Sequence, residues 1–107
     1  MSKPIVMSNS LLTGMMSGAV VDRAGYYADM DSTDFKAGIW RVSPSRTANI
    51  PDGIYNYGIV VVCPAILPTG KYVWIYYITD QGQFCSRLYW ENSWHPWFYT
   101  QMQKITT

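Results

Sequence analysis

The sequence predicts a mostly β protein: a small antiparallel β-sheet knob with a short helical turn, preceded by an N-terminal segment at an intersubunit stalk. Two observations predict the sheet. Runs rich in Val, Ile, Tyr and Trp recur at intervals of roughly ten residues. Between them lie breaker clusters: Ser43-Pro44-Ser45, Asn49-Ile50-Pro51-Asp52-Gly53, Pro68-Thr69-Gly70 and Asp80-Gln81-Gly82. A third observation, the length of 107 residues, fits one compact domain. The organisation expected is a stalk or trimer-contact segment over residues 1–28 and a β-rich knob over 29–107.

The elements follow in order. Met1–Ser10 is polar and expected to fray. Leu11–Val21 places apolar residues at 11, 12, 15, 16, 19 and 20, which is helical spacing, but Gly14 and Gly18 weaken a helix. A short helix and an extended interface strand both remain open for it. Thr13, Gly14, Ser17 and Gly18 dilute the stretch and no A-x-A site follows, so it is not read as a secretory leader. Asp29–Asp34 suits a turn or an N-cap, leading into a helical turn at Thr33–Ala37. Ile39–Val42 is a strand stopped at Pro44. Gly58–Cys63 is a continuous β-branched run, read as a strand buried on both faces and ended by Pro64. Tyr72–Thr79 and Gln83–Trp90 form two long strands around Asp80-Gln81-Gly82. After Asn92-Ser93, the run Trp94–Tyr99 adds a last short strand.

Composition limits the partners. Eight Lys and Arg against seven Asp and Glu give a formal charge of +1, without the basic excess of a nucleic-acid binder. Charged residues are 14% of the chain, well below the ~25% usual in soluble domains. The longest apolar run, Tyr72–Ile78, is far short of the ~20 residues of a spanning helix, so no membrane insertion is expected. Cys63 and Cys85 lie outside any CxxC and are read as two reduced thiols in strands. Five Trp and nine Tyr are more large rings than one small core absorbs. Some are expected to face a ligand or a sister chain.

Six short motifs stand in a recognisable order. They are Asp31 and Asp34-Phe35; Ala37-Gly38-Ile39-Trp40-Arg41-Val42; Asn49-Ile50-Pro51-Asp52-Gly53; Tyr57-Gly58-Ile59-Val60-Val61-Val62; the hairpin ending in Ser86-Arg87; and Asn92-Ser93-Trp94-His95-Pro96-Trp97. Over roughly residues 29–99 the chain resembles the pyocin-knob-type domain found at the tips of bacteriophage tail fibres, tailspikes and R-type pyocin fibres. Phe35, Trp40, the Val73-Trp74-Ile75 run, Asn92-Ser93 and His95 depart from the residues usual in that family. The resemblance implies a homotrimeric, non-enzymatic knob at the distal end of a fibre. It would be carried on the virion and attach to bacterial surface polysaccharide. The alternative within the same particle is a module that trimerises or caps the fibre and binds no receptor. A third possibility is a free-standing carbohydrate-binding module.

Residue by residue, catalysis finds little support. His95 is the single histidine, Glu91 the single glutamate, and no GxSxG elbow exists. Asp29, Asp31 and Asp34 are dense enough for Ca²⁺ but lack the EF-hand spacing. They read as a solvated turn, and no metal or other cofactor is expected. Saccharides are held by aromatic rings plus hydrogen bonds from amide, hydroxyl, Asp and Arg groups. The ligand-binding candidates are therefore Trp74, Tyr76, Arg87, Tyr89, Trp94 and Trp97. If Gln81-Gly82 is a two-residue turn, Trp74, Tyr76, Arg87 and Tyr89 share the binding face and Val73, Ile75, Leu88 and Trp90 the core. A three-residue turn instead puts Trp74, Tyr76, Leu88 and Trp90 together. Trp94 and Trp97 are also candidates for core or intersubunit positions, and Arg87 for a carboxylate partner, Asp31 or Asp34.

Overall fold

The computed structural model describes residues 22–106, and the Leu11–Val21 segment lies outside them. The described residues form one sheet of seven strands and no helix: β1 (Asp22–Tyr26), β2 (Gly38–Val42), β3 (Gly58–Leu67), β4 (Gly70–Thr79), β5 (Gln83–Trp90), β6 (Ser93–Trp94) and β7 (Phe98–Gln101). The spatial order is β1-β2-β3-β4-β5-β6, with β7 also paired to β5. All pairings are antiparallel except β1–β2. Residues 22–26 thus join the sheet of the knob. Their register shifts between Asp22 and Tyr26, where Ala24 adopts a φ of 54° and its N–H donates to Asp22 Oδ1.

The helical turn expected at Thr33–Ala37 is not formed. Phe35 takes a left-handed φ of 51°, which no right-handed turn accommodates, and its ring is buried 4.7 Å from that of Tyr89. Tertiary anchoring of one ring overrides a local capping preference. The acidic loop is tied down further: Ala48 N–H donates to Ala28 O, Met30 N–H to Ala48 O, and Asn49 Nδ2 to Asp29 Oδ1.

Pro64 does not end β3. It pairs opposite Val73, and β3 runs on to Leu67. The reason is positional. β2 begins at Gly38, opposite Val62, so beyond Val62 one side of β3 is an edge among the described residues, where a missing N–H breaks no ladder bond. Nor is β3 buried on both faces: Val60 and Val62 are fully buried while Ile59 is 39% exposed.

The β4–β5 turn sets which residues share a face. Ile78 pairs with Phe84, so the loop is the three residues Asp80-Gln81-Gly82. Thr79 fixes it: its Oγ1 accepts from Gln81 N–H and Gln83 N–H, its carbonyl accepts from Gly82 N–H, and Gly82 takes a φ of 79°. The two-residue alternative is thereby excluded. Positions of equal parity share a face, so Val73, Ile75, Tyr77, Cys85, Arg87 and Tyr89 point to the core, and Trp74, Tyr76, Phe84, Ser86, Leu88 and Trp90 point away from it.

The core lies on that first, inner face. Val42, Val60, Val62, Val73, Ile75, Tyr77 and Cys85 meet Tyr27, Met30 and Phe35 from the preceding loops, with Ile50, Ile54 and Trp97 packed alongside. Tyr77 crosses the core and donates its hydroxyl to Tyr55 O. Burial holds the Tyr27 phenol neutral, with its pKa pushed up to about 12, and pushes the Tyr77 phenol up as well. The sign is then fixed. An unfolded tyrosine ionises near pH 10, so above that pH the unfolded chain binds fewer protons than the folded one and stability falls. Denaturant midpoints should therefore be insensitive to these phenols below pH 9 and drop steadily between pH 10 and 12. A Tyr27→Phe variant should lose part of that slope. An unchanged slope in the variant would mean that Tyr27 is not the group responsible.

Cys63 and Cys85 are both free. They sit on opposite faces of strands separated by β4, out of reach of one another. No helix among the described residues is long and apolar enough to cross a membrane.

Candidate functional site

The six candidate residues fall into two groups on opposite faces. Arg87, Tyr89, Trp94 and Trp97 belong to the inner side. The Arg87 side chain is only 14% exposed, and its Nη1 donates to Asp31 Oδ1 at 2.6 Å. It also reaches Met30 O and, through Nε, His95 O, both at 3.4 Å. Its guanidinium carbon lies 4.3 Å from the Trp94 ring centroid and 5.3 Å from that of Trp97. A planar, weakly hydrated cation fits between two indoles as an ammonium does not. Trp94 Nε1 donates to Asp31 O, and Phe35, Tyr89 and Trp94 touch one another at 4.7–5.8 Å. This cluster clasps the acidic loop onto β5 and the Trp94–Trp97 segment. The carboxylate partner of Arg87 is Asp31, one of the two acids the sequence offered. Nε and Nη1 of Arg87 are thus engaged inside the chain.

Trp74 and Tyr76 lie on the outer face. Their rings stack at 6.1 Å with planes 15° apart, and Tyr76 meets Phe84 at 5.8 Å. Tyr72 and Trp90 form an edge contact at 5.2 Å on the same side. Burial pushes the Tyr76 phenol up, assisted by Cys63 and Tyr72 beside it. The run of rings continues across β5 to β7. There Phe84 pairs with Thr100 and Ser86 with Phe98, so two rings occupy one diagonal and two hydroxyls the other. A shallow groove forms at this seam, lined by Phe84, Ser86, Phe98, Tyr99 and Thr100. Phe98 is 62% exposed. Towards β2 and β3 the outer face turns aliphatic, with Ile39, Ile59, Val61 and Cys63. Arg41 is the one ionic side chain that strand alternation from β2 to β7 assigns to this face among the described residues.

The sequence did not single out Phe84, Ser86, Phe98 or Thr100. Their juxtaposition depends on β7 pairing beside β5, which is fixed by Met102 N–H donating to Gly82 O and by Gln101 Nε2 donating to Gln81 O. Only the alternation within Gln83–Trp90 was a visible signal, and it required the turn length.

His95 donates its backbone N–H to Leu88 O, and its Nε2 is buried without a hydrogen-bond partner. Among the described residues no group of three or more His, Cys, Asp or Glu side chains is placed to hold a metal ion. Comparison with protein-family models, with curated proteins and with solved structures gives no match.

Proposed function

We propose that the chain is a non-enzymatic attachment module at the distal end of a bacteriophage tail fibre or tailspike, carried on the virion, homotrimeric and directed at bacterial surface polysaccharide. One observation carries the reading: the run of rings on the outer face, from Trp74 and Tyr76 through Phe84 to the exposed Phe98, interleaved with the hydroxyls of Ser86 and Thr100. Rings against C–H faces, with hydroxyls beside them, are the groups that hold a neutral saccharide. The order of motifs shared with pyocin-knob-type tips points to the same role.

Purified protein should be retained by bacterial surface polysaccharide. Phe98→Ala and Tyr76→Ala should each weaken retention about tenfold, equivalent to about 1.4 kcal/mol. Phe98→Ala should leave the melting temperature almost unchanged, since most of that ring already faces solvent. Unaltered retention in both variants would remove the outer face from the binding role.

A second reading, a module that trimerises or caps a fibre without touching a receptor, is favoured by the aliphatic half of the same face. Ile59, Val61, Ile78 and Leu88 offer no hydrogen bond to a sugar. Association without any polysaccharide retention would select it.

A further inference from the structure

We infer that the seam between β5 and β7 is where the saccharide is read, and that it seats one uncharged sugar ring and discriminates against acidic sugars. The inference rests on the attachment reading proposed above and adds to it a place and a charge preference.

Position favours the seam over the centre of the outer face. It lies across the sheet from β1, five strand spacings or ~24 Å from the point where residues 1–21 join. Phe98, on its rim, is 62% exposed. The groove has a volume of about 120 Å³, less than half the ~300 Å³ at the small end of pockets that enclose a drug-sized ligand. It therefore admits one ring of a chain and leaves the rest in water.

The groups at the seam match such a ring. Phe84 and Phe98 occupy one diagonal and offer apolar surface to its C–H face. Ser86 and Thr100 occupy the other, and a hydroxyl can donate to or accept from each sugar hydroxyl it meets. Neither forms a side-chain hydrogen bond among the described residues, so both are available to a ligand.

The charge preference follows from what surrounds them. Arg41, the ionic side chain of this face, shares a cross-strand row with Ile59, Ile78, Phe84 and Thr100. Three strand spacings put it ~14 Å from Phe84, beyond the ~8 Å screening length at physiological salt. Arg87, next to Ser86 in sequence, points inward to Asp31. Asp80 in the turn before β5 and Lys104 beyond β7 are of opposite sign and give no net attraction for an ion. A carboxylate laid against Phe84 and Phe98 would lose water and gain no cation in return.

Retention on a panel of acidic bacterial surface polysaccharides tests this, each polymer being compared with its carboxyl-reduced, neutral counterpart. At least one neutral form should be held about tenfold more tightly than its acidic parent. That retention should change less than about twofold between ~0.01 and ~1 M NaCl, over which the screening length falls from ~30 to ~3 Å. Thr100→Val keeps the β-branched shape and removes the hydroxyl. It should weaken retention roughly fivefold, the effect of one hydrogen bond, with the melting temperature unchanged. Lys104→Gln should alter nothing. Retention confined to the acidic parents, or lost in high salt or in Lys104→Gln, would overturn the inference and leave the attachment reading standing. Neutral retention that Thr100→Val and Ser86→Ala both leave intact would overturn it as well, because the sugar would then sit elsewhere. Retention of no polymer in the panel would end the attachment reading and the inference with it.

Discussion

Replacing Gly58 by alanine is expected to lower the melting temperature by roughly 12–24 °C, the equivalent of about 3 kcal/mol for a domain of this size. Gly58 opens β3, where it pairs with Thr79 on one side and Val42 on the other. A Cβ built there would stand 2.2 Å from Ile78 O and 2.8 Å from Thr79 Cα. These are backbone atoms of the neighbouring strand, so no side chain can swing aside. Relief requires β3 to move off β4 at the end where Thr79 fixes the turn. Gly53→Ala makes the control. That glycine stands in the loop before β3, with φ +77° and nothing within 4 Å of a built Cβ. Its substitution should cost about 1–2 kcal/mol, from backbone conformation alone. Thermal unfolding of the two variants measures the difference. Equal losses would mean that β3 and β4 are not packed this closely at Gly58.

The second large effect is on Arg87. Arg87→Ala should destabilise the fold by about 3 kcal/mol: two cation–π contacts of up to about 2 kcal/mol each, plus the hydrogen bonds to Asp31, Met30 and His95, partly offset by release of side-chain entropy. Arg87→Lys keeps the charge but lacks the planar guanidinium that meets Trp94, Trp97 and Asp31 together, and it should recover less than half of the loss. Asp31→Asn should cost about 1 kcal/mol or less, because Asp31 is 47% exposed and water screens the pair. Urea midpoints establish the ranking, and near-UV dichroism of Trp94 and Trp97 should flatten in Arg87→Ala. If Asp31→Asn proved as damaging as Arg87→Ala, the ion pair and not the contact with the two indoles would be the source of the stability.

The strands were legible because their signals are local. The apolar run in Tyr72–Thr79, the β-branched run after Gly58 and the Gly-containing turns each act within a few residues of where they are read. Gln83–Trp90 was expected with the bounds it has. Three features were not legible. Phe35 abandons a helical turn for a left-handed conformation because its pocket is built by Tyr89 and Trp94, more than fifty residues on. Pro64 stays inside β3 because β2 is five residues long and leaves an edge there. The division of the candidate site turned on one residue of turn length. Thr79 supplied that residue through its hydroxyl, sending Arg87 inward and leaving Trp74 and Tyr76 outside. Long-range partners decided the first two, a hydroxyl two and four residues from its donors decided the third, and none of these writes a periodic signature into the chain.

The Arg87 clasp also bears on the order in which the chain folds. Arg87 and Asp31 are 56 residues apart in sequence, whereas β3, β4 and β5 join through turns of two or three residues. Closing the long loop costs more chain entropy than closing the hairpins, so the β3–β4–β5 meander is the natural nucleus and the clasp a late event. Interactions made after the transition state act chiefly on the unfolding rate. The clasp is therefore a kinetic latch: it does little to speed assembly of the sheet, and it slows escape from the finished fold.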